Sequence, residues 1–241
     1  KKAVLHTRLR PKAAGDACGA VYWLGSLGRT QAFENPADRG LIKVEASSQL
    51  KDSASPSALI SRELVRFSSY PRKNEWVQLD FGERRVQPTH YALRHYKSLD
   101  AEALRNWVLE GSNDAKYWTV LREHKDDASL KGKGDRHLWS LKTKAAYRYF
   151  RVRQTGPNSN QHLYLALSDV EIYGTVEGTL PKAGEASPTG EASKGHFVHS
   201  QDFDTQGLLY HLGRDSKGKY RGAAKLGKVK LRSSGLAKDS Q

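Results

Sequence analysis

Cysteine is almost missing from this chain of 241 residues: Cys18 stands alone. A single cysteine excludes an internal disulfide and a thiolate metal cluster. No Asn-x-Ser/Thr acceptor occurs either, and together these absences point to a reducing compartment, cytoplasmic or nuclear. Methionine is absent even at position 1, which reads as a piece of a longer protein. No run approaches the roughly 18 apolar residues of a membrane-spanning helix. The opening "KKAVLHTRLRPKAAGD" is basic but lacks the apolar stretch of a signal peptide.

Catalytic signatures are missing as well. The sequence has no Gly-x-Ser-x-Gly elbow, no phosphate-cradling Gly-rich loop ending in Lys-Ser/Thr and no His-Glu-x-x-His. His196 and His199 have turn spacing for a metal but no third ligand in reach, and Asp126-Asp127 reads as a solvated turn rather than a calcium site. The expectation is a non-enzymatic chain with no cofactor and no bound metal.

Charge is plentiful and uneven. The net charge is +14. Residues 1–15 carry five Lys/Arg and no acid, residues 16–178 carry 24 basic against 20 acidic groups, and residues 196–241 carry nine against four. Basic flanks can hold nucleic acid or an anionic surface weakly and in a salt-dependent way. The plainer reading is solubility, or attachment to a larger complex.

The middle of the chain is built from short alternating runs. "LIKVEASS" (41–48), "EWVQLDFG" (75–82), "THYALRHY" (89–96), "NWVLEGS" (106–112), "YWTVLREH" (117–124), "HLWSL" (137–141), "YRYFRVRQT" (147–155) and "LSDVEIYGTV" (167–176) read as strands, separated by polar turns such as "GSNDAK". Eight strands without a long 3.6-residue period predict an all-β sandwich or barrel. The helical candidate is "SLDAEALRNW" (98–107), with Ser98 as its cap. Trp76, Leu79, Phe81, Leu93, Trp107, Leu109, Trp118, Phe150, Val152 and Ile172 are the expected core.

Residues 179–195 have linker composition. Beyond them the chain repeats itself: residues 204–240 align with 16–53, Gly19 on Gly207, Tyr22 on Tyr210, Leu24-Gly25 on Leu212-Gly213 and Phe33 on Tyr220. The organisation expected is a basic extension (1–15), a sandwich (16–178), a linker (179–195) and the first part of a second copy (196–241). That copy would pack on the first or on a partner, since a fragment of this size buries too little surface alone.

The order "WVQLDFG", "VQPTHYALRHY", "WVLEGSNDAKYW", "YFRVRQT", "LALSDVEIYG" resembles the discoidin-like, or coagulation-factor C-type, galactose-binding-like family, over about residues 41–176. The "YWLG…NP…G" and "LRNW…GSND" runs look most like its intracellular branch: Doc-type, muskelin and modules attached to BTB proteins and ubiquitin ligases. The resemblance implies a discoidin-like jelly-roll β-sandwich. It also implies a ligand surface of loops at one end, mapping to about 49–57, 67–75, 96–103 and 156–164. Extracellular members tie the start of the domain to its end by a disulfide; here "EIYGTV" has no cysteine, which disfavours a secreted lectin or a clotting-type membrane binder.

The candidate contact residues in and beside those loops are Ser69, Tyr70, Arg72, Lys73, Arg94, His95, Tyr96, Lys97, Asn158, Asn160 and His162. Aromatics beside Arg and amides suit a protein or peptide partner. A glycan is the alternative, through stacking and amide hydrogen bonds. "SSYPRKN" lacks the bulky apolar tips needed to insert into a membrane. The expected role is protein–protein interaction in a large intracellular assembly related to ubiquitin ligases.

Overall fold

The computed structural model describes residues 5–180. The linker from residue 181 onward, the repeated segment 196–241 and its His196 and His199 lie outside the described residues.

The described residues form eleven strands: β1 (Leu5–Leu9), β2 (Lys43–Ala46), β3 (Phe67–Ser68), β4 (Trp76–Asp80), β5 (Arg85–Arg94), β6 (Trp107–Ser112), β7 (Thr119–His124), β8 (Arg136–Ser140), β9 (Tyr149–Gln154), β10 (Ala166–Leu167) and β11 (Asp169–Gly178). They make a four-stranded sheet of order β1-β11-β5-β8, a five-stranded sheet of order β2-β4-β9-β6-β7 and a two-stranded β10-β3 patch. Every named pair is antiparallel. This is one of the two all-β forms that the alternation predicts, the sandwich, in the discoidin-like jelly-roll arrangement that the resemblance implies.

The period of two puts one face of each strand inside. On the five-stranded sheet Val77 and Leu79 of β4, Phe150 and Val152 of β9, and Trp107 and Leu109 of β6 are buried. They meet Val86, Tyr91 and Leu93 of β5 and Val170, Ile172 and Val176 of β11, also buried. Phe81 meets Phe150 edge-on at 5.7 Å. Burial of each such side chain stabilises the fold by about 1.5–3 kcal/mol.

Two expected core tryptophans face the other way. Trp76 and Trp118 are only half-buried: β4 turns Val77 and Leu79 inward, so its neighbour Trp76 points out. Trp118 lies under the Arg151 guanidinium, 3.9 Å from its ring.

The segment 98–107 is not helical. Glu102 has φ +67°, a left-handed conformation that ends any right-handed helix there. The helical elements among the described residues are instead α1 (Ala20–Gly25) and a 3-10 turn at Pro56–Ile60. Helix α1 packs on β11, where Glu171 accepts hydrogen bonds from the Val21 and Tyr22 amides at 2.8 and 3.1 Å. Gly19 is required at this junction, since a Cβ there would lie 2.0 Å from the Glu171 carboxyl carbon. Burial, and then the charge of Asp169, raise Glu171 to about 8.

Part of the stretch expected as a basic extension belongs to the sheet: Leu5–Leu9 pairs with Gly174–Gly178 of β11. Gly174, at the β11 bulge, has φ +154° and no room for a side chain beside Gln87.

Candidate functional site

The antiparallel order brings one end of each strand of the five-stranded sheet together. β2 ends at Ala46, β4 begins at Trp76, β6 begins at Trp107, β7 ends at His124 and β9 ends at Gln154, so segments 47–55, 69–75, 95–106 and 155–165 form one rim. These overlap the four loops expected to carry a ligand, although residues 56–57 fall in the 3-10 turn and 67–68 in β3. A fifth, 125–135, joins them: the Asp126 amide donates to the Asn106 side chain at 3.0 Å, and the Asp127 amide to the Arg105 carbonyl at 2.9 Å.

The rim is braced by carboxylates that point inward. Glu102 accepts from Asn158 Nδ2 at 2.6 Å and from Asn160 Nδ2 at 2.9 Å, and bonds His162 Nδ1 at 2.8 Å. Burial alone would raise Glu102, but the hydrogen bonds from Asn160, His162 and Asn158 outweigh it and hold the carboxyl below its usual range. They also hold its left-handed backbone in place. Asn158 completes the knot by accepting from the amides of Asn160 and His162. On the opposite flank Glu75 accepts from the hydroxyls of Ser47 and Ser48, and Ser48 accepts from the Tyr70 amide.

A third carboxylate ties the rim to the core. Asp127 Oδ2 bonds His124 Nδ1 at 2.6 Å and accepts from Trp139 Nε1 at 3.1 Å. His124 Nε2 lies 2.6 Å from the Tyr91 hydroxyl, which accepts from Trp107 Nε1 at 3.0 Å. A neutral His124 with its proton on Nδ1 satisfies every member of this chain. Burial lowers His124 against the opposing pull of Asp127. For Asp127, burial is overcome by the bonds from Ser129 and His124, which bring it to about 2. Asp127 is thus a structural acceptor rather than part of a solvated turn. The Asp–His–Tyr relay resembles a catalytic one, but His124 and Tyr91 are buried, so no substrate reaches them.

The expected contact residues divide sharply. Tyr70, Arg72, Lys73, Lys97, Asn160 and His162 are exposed, and Arg94 is half-buried. Arg72 stacks on the Tyr70 ring at 5.1 Å. Ser69, His95, Tyr96 and Asn158 are buried, which withdraws them from direct contact with a ligand. Ser69 Oγ accepts from the Leu165 amide at 3.0 Å. His95 Nε2 reaches the carbonyls of Leu99 and Ala101 at 2.9 and 3.1 Å, and burial lowers its pKa. Arg94 Nε donates to the Gly134 carbonyl at 2.9 Å. The organising carboxylates Glu102, Glu75 and Asp127 were not among the candidates; each lies in or beside a turn, with amides, serines or histidine as partners.

A cleft of about 690 Å³ opens between the loops, lined by Arg105, Asn106, Lys125, Asp126, Pro157 and Gln161 among others. Among the described residues no group of three or more His, Cys, Asp or Glu is placed to hold a metal. No helix among them is long and apolar enough to cross a membrane.

The F5/8 type C domain model matches residues 43–167, more than half of the sequence, and the chain belongs to that family. It is 35% identical over 191 residues to the E3 ubiquitin-protein ligase Ufd4 of Drosophila melanogaster, and 36% identical over 181 residues to the E3 ubiquitin-protein ligase hecd-1 of Caenorhabditis elegans. Each match covers 73% of this chain but 7% of the ligase, so the chain spans a small fraction of these relatives. A BTB/POZ domain-containing protein of Arabidopsis thaliana is 28% identical, over 66% of this chain and 21% of its own length. Among solved structures, CpGH89CBM32-5 from Clostridium perfringens, in complex with GalNAc-β-1,3-galactose, aligns at 10% identity with a TM-score of 0.47, covering 56% of this chain and 97% of its own.

Proposed function

We propose that the chain is a non-enzymatic module that holds a protein partner through its loop rim, inside a large intracellular assembly related to ubiquitin ligases. The observation that carries this reading is the division of labour at the rim. Glu102, Glu75 and Asp127 face inward and fasten the loops, while Tyr70, Arg72 and Lys73 face out. An aromatic stacked by arginine on a braced loop is a common protein-binding anchor. The similarity to Ufd4 and hecd-1 supplies the ligase setting. The amides expected to meet a sugar are largely committed, Asn158 and Asn160 to Glu102, which favours a protein over a glycan at this rim.

The test is affinity capture from lysate with the wild-type chain against Tyr70→Ala/Arg72→Glu. Both changes lie on exposed side chains, so the fold should be kept, as circular dichroism would show. Wild type should enrich a set of ligase-associated proteins that the double variant loses. Recovery of the same proteins by both would end the rim reading.

A further inference from the structure

Five large apolar side chains stand exposed among the described residues, and two of them, Leu64 (39% exposed) and Leu99 (53%), belong to segments that are laced together. The Lys97 amide donates to the Val65 carbonyl at 3.2 Å, and the Gly134 amide to the Tyr96 carbonyl at 3.3 Å. The Lys133 amide donates to Asp100 Oδ1 at 2.9 Å. Gly134 sits against the Leu64 side chain, so close that a Cβ would come within 3.1 Å of it. Segments 62–66, 95–101 and 131–135 therefore form one surface.

The charges on that surface are sorted by sign. Its aspartates serve the backbone: Asp100 takes the Lys133 amide, and Asp135 takes the amides of Lys131 and Arg136 at 2.9 Å each. Its lysines do not. Lys97, Lys131 and Lys133 are exposed, and no partner engages their ammonium groups among the described residues. Glu63 is exposed nearby and opposes them in part. Beside the lysines lies a cleft of about 550 Å³, whose wall includes Lys131, Arg136 and His137.

We propose that this surface docks an acidic segment of a partner protein anchored by one or two aliphatic side chains. Unpaired lysines around exposed leucines complement carboxylates around an apolar anchor. The leucines decide between a protein and a nucleic acid, since a phosphate backbone offers them nothing to bury. The surface shares no residue with the Tyr70–Arg72 contact, so either can fail alone.

The experiment is fluorescence anisotropy on the full chain. The probe is a labelled 12-residue peptide of Asp and Glu with two leucines four positions apart. Binding should weaken at least tenfold in Lys97→Glu/Lys131→Glu/Lys133→Glu, and by an intermediate factor in the corresponding triple change to Gln. It should fall severalfold in Leu99→Ser, or when serines replace the peptide leucines. All these sites are exposed, and an unchanged urea midpoint would confirm the fold. Unaltered binding by the triple reversal would overturn the proposal. So would equal binding of the leucine-free peptide, or of a single-stranded oligonucleotide of the same net charge, since the surface would then attract anions without discrimination.

Discussion

The two flanks of the rim hold similar polar residues and use them in opposite ways. On the flank of 95–106 and 155–165, amide and imidazole side chains converge on Glu102, and the loops become a knot of hydrogen bonds. On the flank of 69–75, Glu75 is satisfied by two serines, and Tyr70, Arg72 and Lys73 remain outside. A polar loop residue is available to a partner only when no nearby buried carboxylate claims it. Residue type alone cannot reveal which case applies.

The largest expected effect comes from breaking the knot. Glu102→Ala leaves the buried Asn158 amide without its main acceptor and should lower stability by about 2–3 kcal/mol, measured as a fall in urea midpoint. A change under about 0.5 kcal/mol, the range of ordinary surface substitutions, would mean that water replaces the carboxylate and that the flanks do not differ as described.

A pH scan sharpens the contrast between carboxylates. Glu102 sits below its ordinary 4.5 when folded, so its contribution is complete above that pH and is lost as pH falls through the folded value. Glu171 has the opposite sign. Its folded value is raised from 4.5 to about 8, so the fold holds a proton that the unfolded chain releases, and stability declines as pH rises from 4.5 to 8. The stability of wild type relative to Glu171→Gln should therefore fall between pH 5 and pH 8. A constant difference would show that burial does not keep Glu171 protonated in the folded chain.

The smallest effect belongs to the open flank. Tyr70→Ala and Arg72→Glu should each shift stability by no more than about 0.5 kcal/mol, because the side chains they remove are exposed. A loss approaching that of Glu102→Ala would show that Tyr70 is structural and would erase the distinction between the flanks.

Much of the frame could be read from alternation. Val77, Leu79, Phe150 and Val152 lie inside as their period of two requires, and eight stretches that alternate in the sequence contain strands. Strand β1 is not legible in the sequence because "LHTRL" is short, basic and far in sequence from its partner β11. The expected helix at 98–107 failed on one residue: good helix formers flank Glu102, but its three side-chain partners hold it at a positive φ.

The sequence by itself determined an all-β sandwich or barrel whose strands each bury one face, because side-chain alternation is a local property that each strand carries with it. Only the tertiary structure decided which loop residues are exposed. Ser69 and Asn158 are withdrawn by bonds to distant segments, and His95 and Tyr96 by burial. Exposure depends on what lies across the gap, and residues 56 positions apart, such as Glu102 and Asn158, meet only after the sheets have closed.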